Sequence, residues 1–145
     1  MQKSAYVQCF ERAGEKFGWN VLLRGEEACE AVFGCGIVRL SVPDGERGLL
    51  SLSLGKVPSG ELERSHEALR RAQQNAGLLK SGKSAVVISK GAFRLERFLD
   101  ESEKNDDAFQ SALEDFLADC DYLVKGGGAA AHSGSDALSN LQYLI

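Results

Sequence analysis

Eight consecutive residues of this sequence spell a known chemistry. Gly77-Leu-Leu-Lys-Ser-Gly82-Lys83-Ser84 reproduces the G-x-x-x-x-G-K-S/T spacing of a phosphate-binding loop. In such a loop backbone N–H groups cradle the phosphates, the lysine reaches them and the hydroxyl serves a magnesium ion. The loop must also leave a buried strand and open a helix, so that unpaired N–H groups and the positive end of the helix dipole meet the anion. Here the flanks run the other way. A helix-like stretch, Glu61 to about Asn75, precedes the motif, and the β-favouring Ala85-Val-Val-Ile-Ser follows it. Downstream, Phe98-Leu99-Asp100 is the nearest approach to an apolar strand ending in a magnesium-binding aspartate, and it is a poor one. The octapeptide is therefore expected to connect a helix to a strand, with Gly82 and Lys83 in a solvated turn. No nucleotide or other cofactor is expected.

Other reactive side chains are sparse. There are two histidines: His66 lies on a helical stripe and His132 in a glycine-rich tail. Cys9, Cys29, Cys35 and Cys120 form no C-x-x-C pair, so the closely spaced ligands of a zinc site are missing and no metal is expected. They read as small buried apolar residues kept reduced. No G-x-S-x-G elbow occurs. The pairs Glu26-Glu27 and Asp106-Asp107 are explained by turn solvation and helix-end charge. No catalytic residues are assigned, and the chain is not expected to be an enzyme.

The elements around these residues belong to one domain. A globule of 145 residues buries roughly 68–70% of its unfolded surface. With 43% hydrophobic and 26% charged residues the composition is that of an ordinary soluble protein. No apolar run approaches the ~20 residues needed to span a bilayer, and Glu11, Arg12, Glu15 and Lys16 follow the N-terminus too soon for a signal peptide. A net charge of −4 conceals an asymmetry: Lys56–Arg97 holds nine basic and four acidic residues, Asp100–Asp121 nine acidic and one basic. The acidic balance, with no aromatic residues interleaved among the basic ones, argues against nucleic acid.

Tyr6, Phe10, Ala13 and Phe17 make one face of a helix over Lys3–Phe17 that stops at Gly18. Trp19–Leu23 and Ala28–Phe33 read as strands. Val38, Leu40 and Val42 alternate with polar residues, as do Leu50, Leu52 and Leu54, and Pro43-Asp44-Gly45 turns between them. Such alternation predicts an antiparallel sheet with helices on one side. The helix from Glu61 has a lean inner stripe of Leu62, His66, Leu69, Gln73 and Ala76. Ala85–Ser89 and Ala92–Phe98 form a hairpin, and Asn105 caps a last helix striped with Phe109, Ala112, Leu113, Phe116, Leu117, Cys120 and Val124. The expected fold is α+β in the order α-β-β-β-α-β-β-α. It fills residues 1–125, and residues 126–145 form a Gly/Ala/Ser-rich linker with a short apolar tail.

In this order, the segments Ala68-Leu-Arg-Arg-Ala-Gln-Gln-Asn75, Ser84-Ala-Val-Val-Ile-Ser-Lys-Gly91-Ala-Phe-Arg-Leu95 and Phe109–Leu123 resemble the second helix, late hairpin and closing helix of class I type III secretion chaperones. The resemblance is strongest over Ala68–Leu123, and the glycine-rich tail extends past the usual end of that family's fold. It implies a homodimer joined through the second helix and late strands, in the bacterial cytoplasm, holding the extended N-terminal region of a secreted effector. Capture would work by burying side chains in apolar grooves and by adding a strand to a free edge. Trp19, Val21, Leu23, Phe33 and Val38 are the candidate cargo-groove residues. Leu62, His66, Leu69 and Gln73 are the candidate dimer seam, their stripe being too polar for a deep core. The alternative is a cytosolic adaptor or regulatory domain of the same fold with no secretion cargo.

Overall fold

The computed structural model describes residues 3–56, 60–78, 83–89 and 91–124. The expected linker and tail after 125 lie outside the described residues, as do Leu79–Gly82 of the octapeptide.

Helix α1, Ala5–Phe17, starts where the Ser4 hydroxyl accepts a hydrogen bond from the Val7 N–H. It stops at Gly18, whose φ of 89° is left-handed and suits only glycine without cost. Tyr6, Val7, Cys9, Phe10 and Ala13 are buried. Phe17, expected on the same stripe, is 52% exposed because the last turn runs past the edge of the core.

Strands β1 (Leu22–Leu23), β2 (Ala28–Phe33), β3 (Gly36–Ser41) and β4 (Gly48–Lys56) form an antiparallel meander. The turn into β4 is held by the Asp44 carboxylate, which accepts from the N–H groups of Glu46 (2.9 Å) and Arg47 (2.8 Å). Helix α2 (Glu61–Leu78) then leads to β5 (Ala85–Ser89) and β6 (Ala92–Leu99), and β6 returns to pair with β4. The six-stranded sheet has the order β1-β2-β3-β4-β6-β5. Four strands precede α2 where the expected order counted three: β1, at the end of the stretch Trp19–Leu23 read as a strand, pairs with β2 in its own right.

A 3-10 turn, Glu101–Lys104, carries the chain to helix α3, Asp106–Val124. The Asn105 side chain accepts from the Ala108 N–H, the expected cap. Facing α1 and α3, one side of the sheet buries Cys29, Ala31, Val38, Leu40, Leu50, Leu52, Leu95 and Leu99. Phe10 meets Phe109 edge-on with ring centroids 6.1 Å apart, joining the helices over that core.

The described part of the stripe expected to face inward on α2, Leu62, His66 and Leu69, faces outward instead. Leu62 is 68% and Leu69 62% exposed, and His66 is exposed too. Among the described side chains of α2 the buried one is Arg71, whose guanidinium lies 5.1 Å from the Phe93 ring centroid and donates to the Leu54 carbonyl. An arginine stem covers apolar surface as well as a short aliphatic side chain does, so charge alone misled the reading of this face.

Candidate functional site

Two of the expected groove residues meet. Trp19 follows the glycine stop of α1, and its ring stacks on Phe17 (5.7 Å, 13° between planes) and meets Phe33 edge-on at 5.1 Å. Gly14 makes room for this arrangement: a Cβ there would lie 2.8 Å from Val21 Cγ2, 3.0 Å from the Trp19 carbonyl oxygen and 3.1 Å from Trp19 Nε1. Trp19, Val21 and Phe33 are thus partly buried against the core. Leu23 sits at the sheet edge, paired with Cys29 and 39% exposed. Val38 is fully buried opposite Ala31, so it backs this surface and offers no area for a partner to touch.

Beside Trp19 the end of α1 and the middle of α3 leave a hollow of about 220 Å³, lined by Phe17, Trp19, Gln110, Leu113, Glu114 and Leu117. It is smaller than the roughly 300–1,000 Å³ of small-molecule sites, and suits a side chain better than a cofactor.

Among the described residues, the most exposed apolar surface is one the sequence reading did not name. On the side of the sheet away from the helices, Val32 and Ile37 are cross-strand partners, 73% and 54% exposed, and Leu22 stands diagonal to Val32 at 53%. The only signal in the sequence is the pairing of adjacent apolar residues. Leu22-Leu23, Val32-Phe33 and Ile37-Val38 each break the alternation, and so supply apolar groups to both faces. Farther along, Phe98 is also exposed, but the Arg47 guanidinium lies 4.2 Å from its ring centroid. The β1 end of this face is therefore apolar and open, beside a strand edge.

A second exposed apolar region lies at the other end. Leu62, His66 and Leu69 lie open on α2, and Ile88 of edge strand β5 is 62% exposed. The side chain of Gln73 lies outside the described residues.

The octapeptide begins inside the last turn of α2 at Gly77-Leu78 and ends one residue before β5, at a buried Ser84. Its order is helix then strand. The negative end of a helix dipole precedes it, the reverse of what a phosphate needs. Among the described residues no group of His, Cys, Asp or Glu could hold a metal ion. The four cysteines are free and buried. Burial pushes the Cys29 thiol up to about 12. The hydrogen bond shared with Cys35, then burial, push the Cys120 thiol up as well. No described helix is long and apolar enough to cross a membrane.

No family model matches the chain, and no curated protein matches its sequence. A solved structure does share the fold. One chain in the crystal structure of the ExsC–ExsE complex aligns with a TM-score of 0.56 at 16% identity, over 84% of this chain and 93% of that one. The chain thus has an α+β fold already known from a protein crystallised in a complex with another.

Proposed function

We propose that this protein is a type III secretion chaperone: a homodimer that binds the extended N-terminal region of an effector in the bacterial cytoplasm and keeps it stable and export-competent. The observation that carries the reading is the open apolar face of Leu22, Val32 and Ile37 beside the β1 edge. An exposed edge presents unpaired N–H and C=O groups, and adjoining apolar side chains add affinity for a segment with no fold of its own. Trp19, Val21, Leu23 and Phe33 extend this surface around the edge to the helical side, with Val38 as its backing. The fold-mate in the ExsC–ExsE complex and the resemblance over Ala68–Leu123 support the same reading. Leu62, His66, Leu69 and Gln73 form the dimer seam, and residues 1–125 are the binding domain.

The test is purification from the native cell of the unaltered chain and of a Val32→Asp, Ile37→Asp variant. The reading expects a secreted protein, held through its N-terminal segment, to accompany the first and be lost from the second. Recovery of the same partners with both would refute the open face as the binding surface. A metabolic enzyme or the chain alone would instead mark an adaptor or regulatory domain.

A further inference from the structure

We propose that the hollow between Phe17, Trp19, Leu113 and Leu117 is the docking place of the chain's own apolar segment Leu138–Ile145, which fills it until an outside polypeptide takes its place. This rests on the partner-binding reading above.

The hollow has an apolar floor and a polar rim. Leu113 is 2% exposed at its base, Leu117 is partly buried, and Gln110 and Glu114 border it. Phe17, 52% exposed, stands beside it as an unburied wall. Such a wall is covered at little cost by any uncharged apolar segment nearby, and Glu114 at the rim disfavours an acidic one.

The sequence supplies that segment close at hand. Leu138, Leu141 and Leu144 recur every third residue, with Tyr143 and Ile145 beside them, and Asp136 is the one acidic residue after Lys125. The preceding Gly126–Ser135 has no large apolar side chain that could compete for the site.

Reach and side both favour this site. From Leu117 to the last turn of α3 at Val124 is seven residues, about 10 Å of helix. The 13 residues 125–137 span at most about 45 Å, and a Gly/Ser-rich chain of that length has a root-mean-square reach of about 20 Å. A segment so tethered has an effective concentration near ~1 mM, so even a weak contact is filled most of the time. Because α3 lies on the helical side of the sheet, the tail meets this hollow without rounding a sheet edge. Val32 and Ile37 face the other way.

Trp19 is the single tryptophan, so its fluorescence reads the hollow directly. The experiment compares the full chain with a full-length Leu141→Ser, Leu144→Ser variant. The variant is expected to show red-shifted emission and stronger acrylamide quenching. Its unfolding transition should stay single and cooperative but move to lower temperature, as loss of a contact made only in the folded state requires. Adding a synthetic peptide of residues 136–145 to the variant should reverse the emission and quenching changes. Identical emission and quenching in the two forms would overturn the proposal. So would a difference that vanishes on dilution, which would place the segment in the hollow of a second copy. Where the intrachain contact forms, the variant should bind an outside polypeptide about ten-fold more tightly if the free peptide binds at ~0.1 mM. A fluorescence change without any outside partner would leave this contact standing and the chaperone reading lost.

Discussion

Arg97 is a charged side chain on the core-facing side of β6, 4% exposed, opposite Leu50. Its Nη2 donates to Glu103 at 2.9 Å, whereas Asp115, at 3.9 Å and 70% exposed, contributes little. Removing Glu103 leaves a buried guanidinium without its partner, so Glu103→Ala should cost about 3–5 kcal/mol, while Arg97→Met, which removes the charge itself, should cost far less. Urea unfolding of the two variants checks the order. At Gly14 two effects oppose each other. Alanine would gain up to about 1 kcal/mol of helix propensity, but its Cβ meets Val21 and Trp19 in a packed site, where overpacking costs about 1–3 kcal/mol. Gly14→Ala should therefore lower the melting temperature and shift Trp19 emission. At Asp44, the N–H groups of Arg47 and then Glu46 hold the carboxyl at about 2, against an ordinary 3.8. Its contribution is complete above about pH 3.8 and is lost as pH falls through about 2. Asp44→Asn should flatten the acid limb of stability in that window and lower stability at neutral pH toward the acid plateau.

Helix α2 shows how an element can be legible while its orientation is not. The stretch from Glu61 is helical as expected, but the residues expected to face inward, Leu62, His66 and Leu69, face out. Arg71 takes the inner place by lying over Phe93. The outward stripe is what a dimer seam requires. Leu62→Asp with Leu69→Asp should leave monomer stability within about 0.5 kcal/mol, since both sites are exposed. Light scattering should then fall from the dimer mass to the 15.6 kDa of one chain. A dimer mass that persists would remove α2 from the seam. In the strands, alternation read β3 and β4 correctly, because Val38, Leu40, Leu50 and Leu52 all point inward. At the β1 end the adjacent pairs left both faces apolar. The sequence held both sets, but periodicity could not say which one the helices cover.

Across the whole molecule, the legible part was the layering: helices on one side of an antiparallel sheet, with caps and turns where Asn105 and Gly18 place them. The direction of the octapeptide was legible too, since a helix before it and a strand after it can be read from composition. The aromatic hollow beside Trp19 was not, because it depends on α1 and α3 meeting at a distance of nearly a hundred residues. The rings of Phe10 and Phe109, the ion pair of Arg12 with Asp106 at 2.8 Å and the hydrogen bond from Lys16 to Gln110 at 3.4 Å fix that meeting.

The pairing of β4 with β6 has a consequence for the nascent chain. When Lys56 leaves the ribosome, β4 has β3 on one side and nothing on the other. Its second partner is complete only at Leu99, 43 residues later. At about 5–20 residues per second that is roughly 2–9 s of open strand edge on every newly made molecule. During that interval a foreign strand could take the place of β6, and the shift of register between Ser53 and Gly55 is the one irregularity along β4 that disfavours it. Until Leu99 is made, β4 is itself a loose strand waiting to be captured.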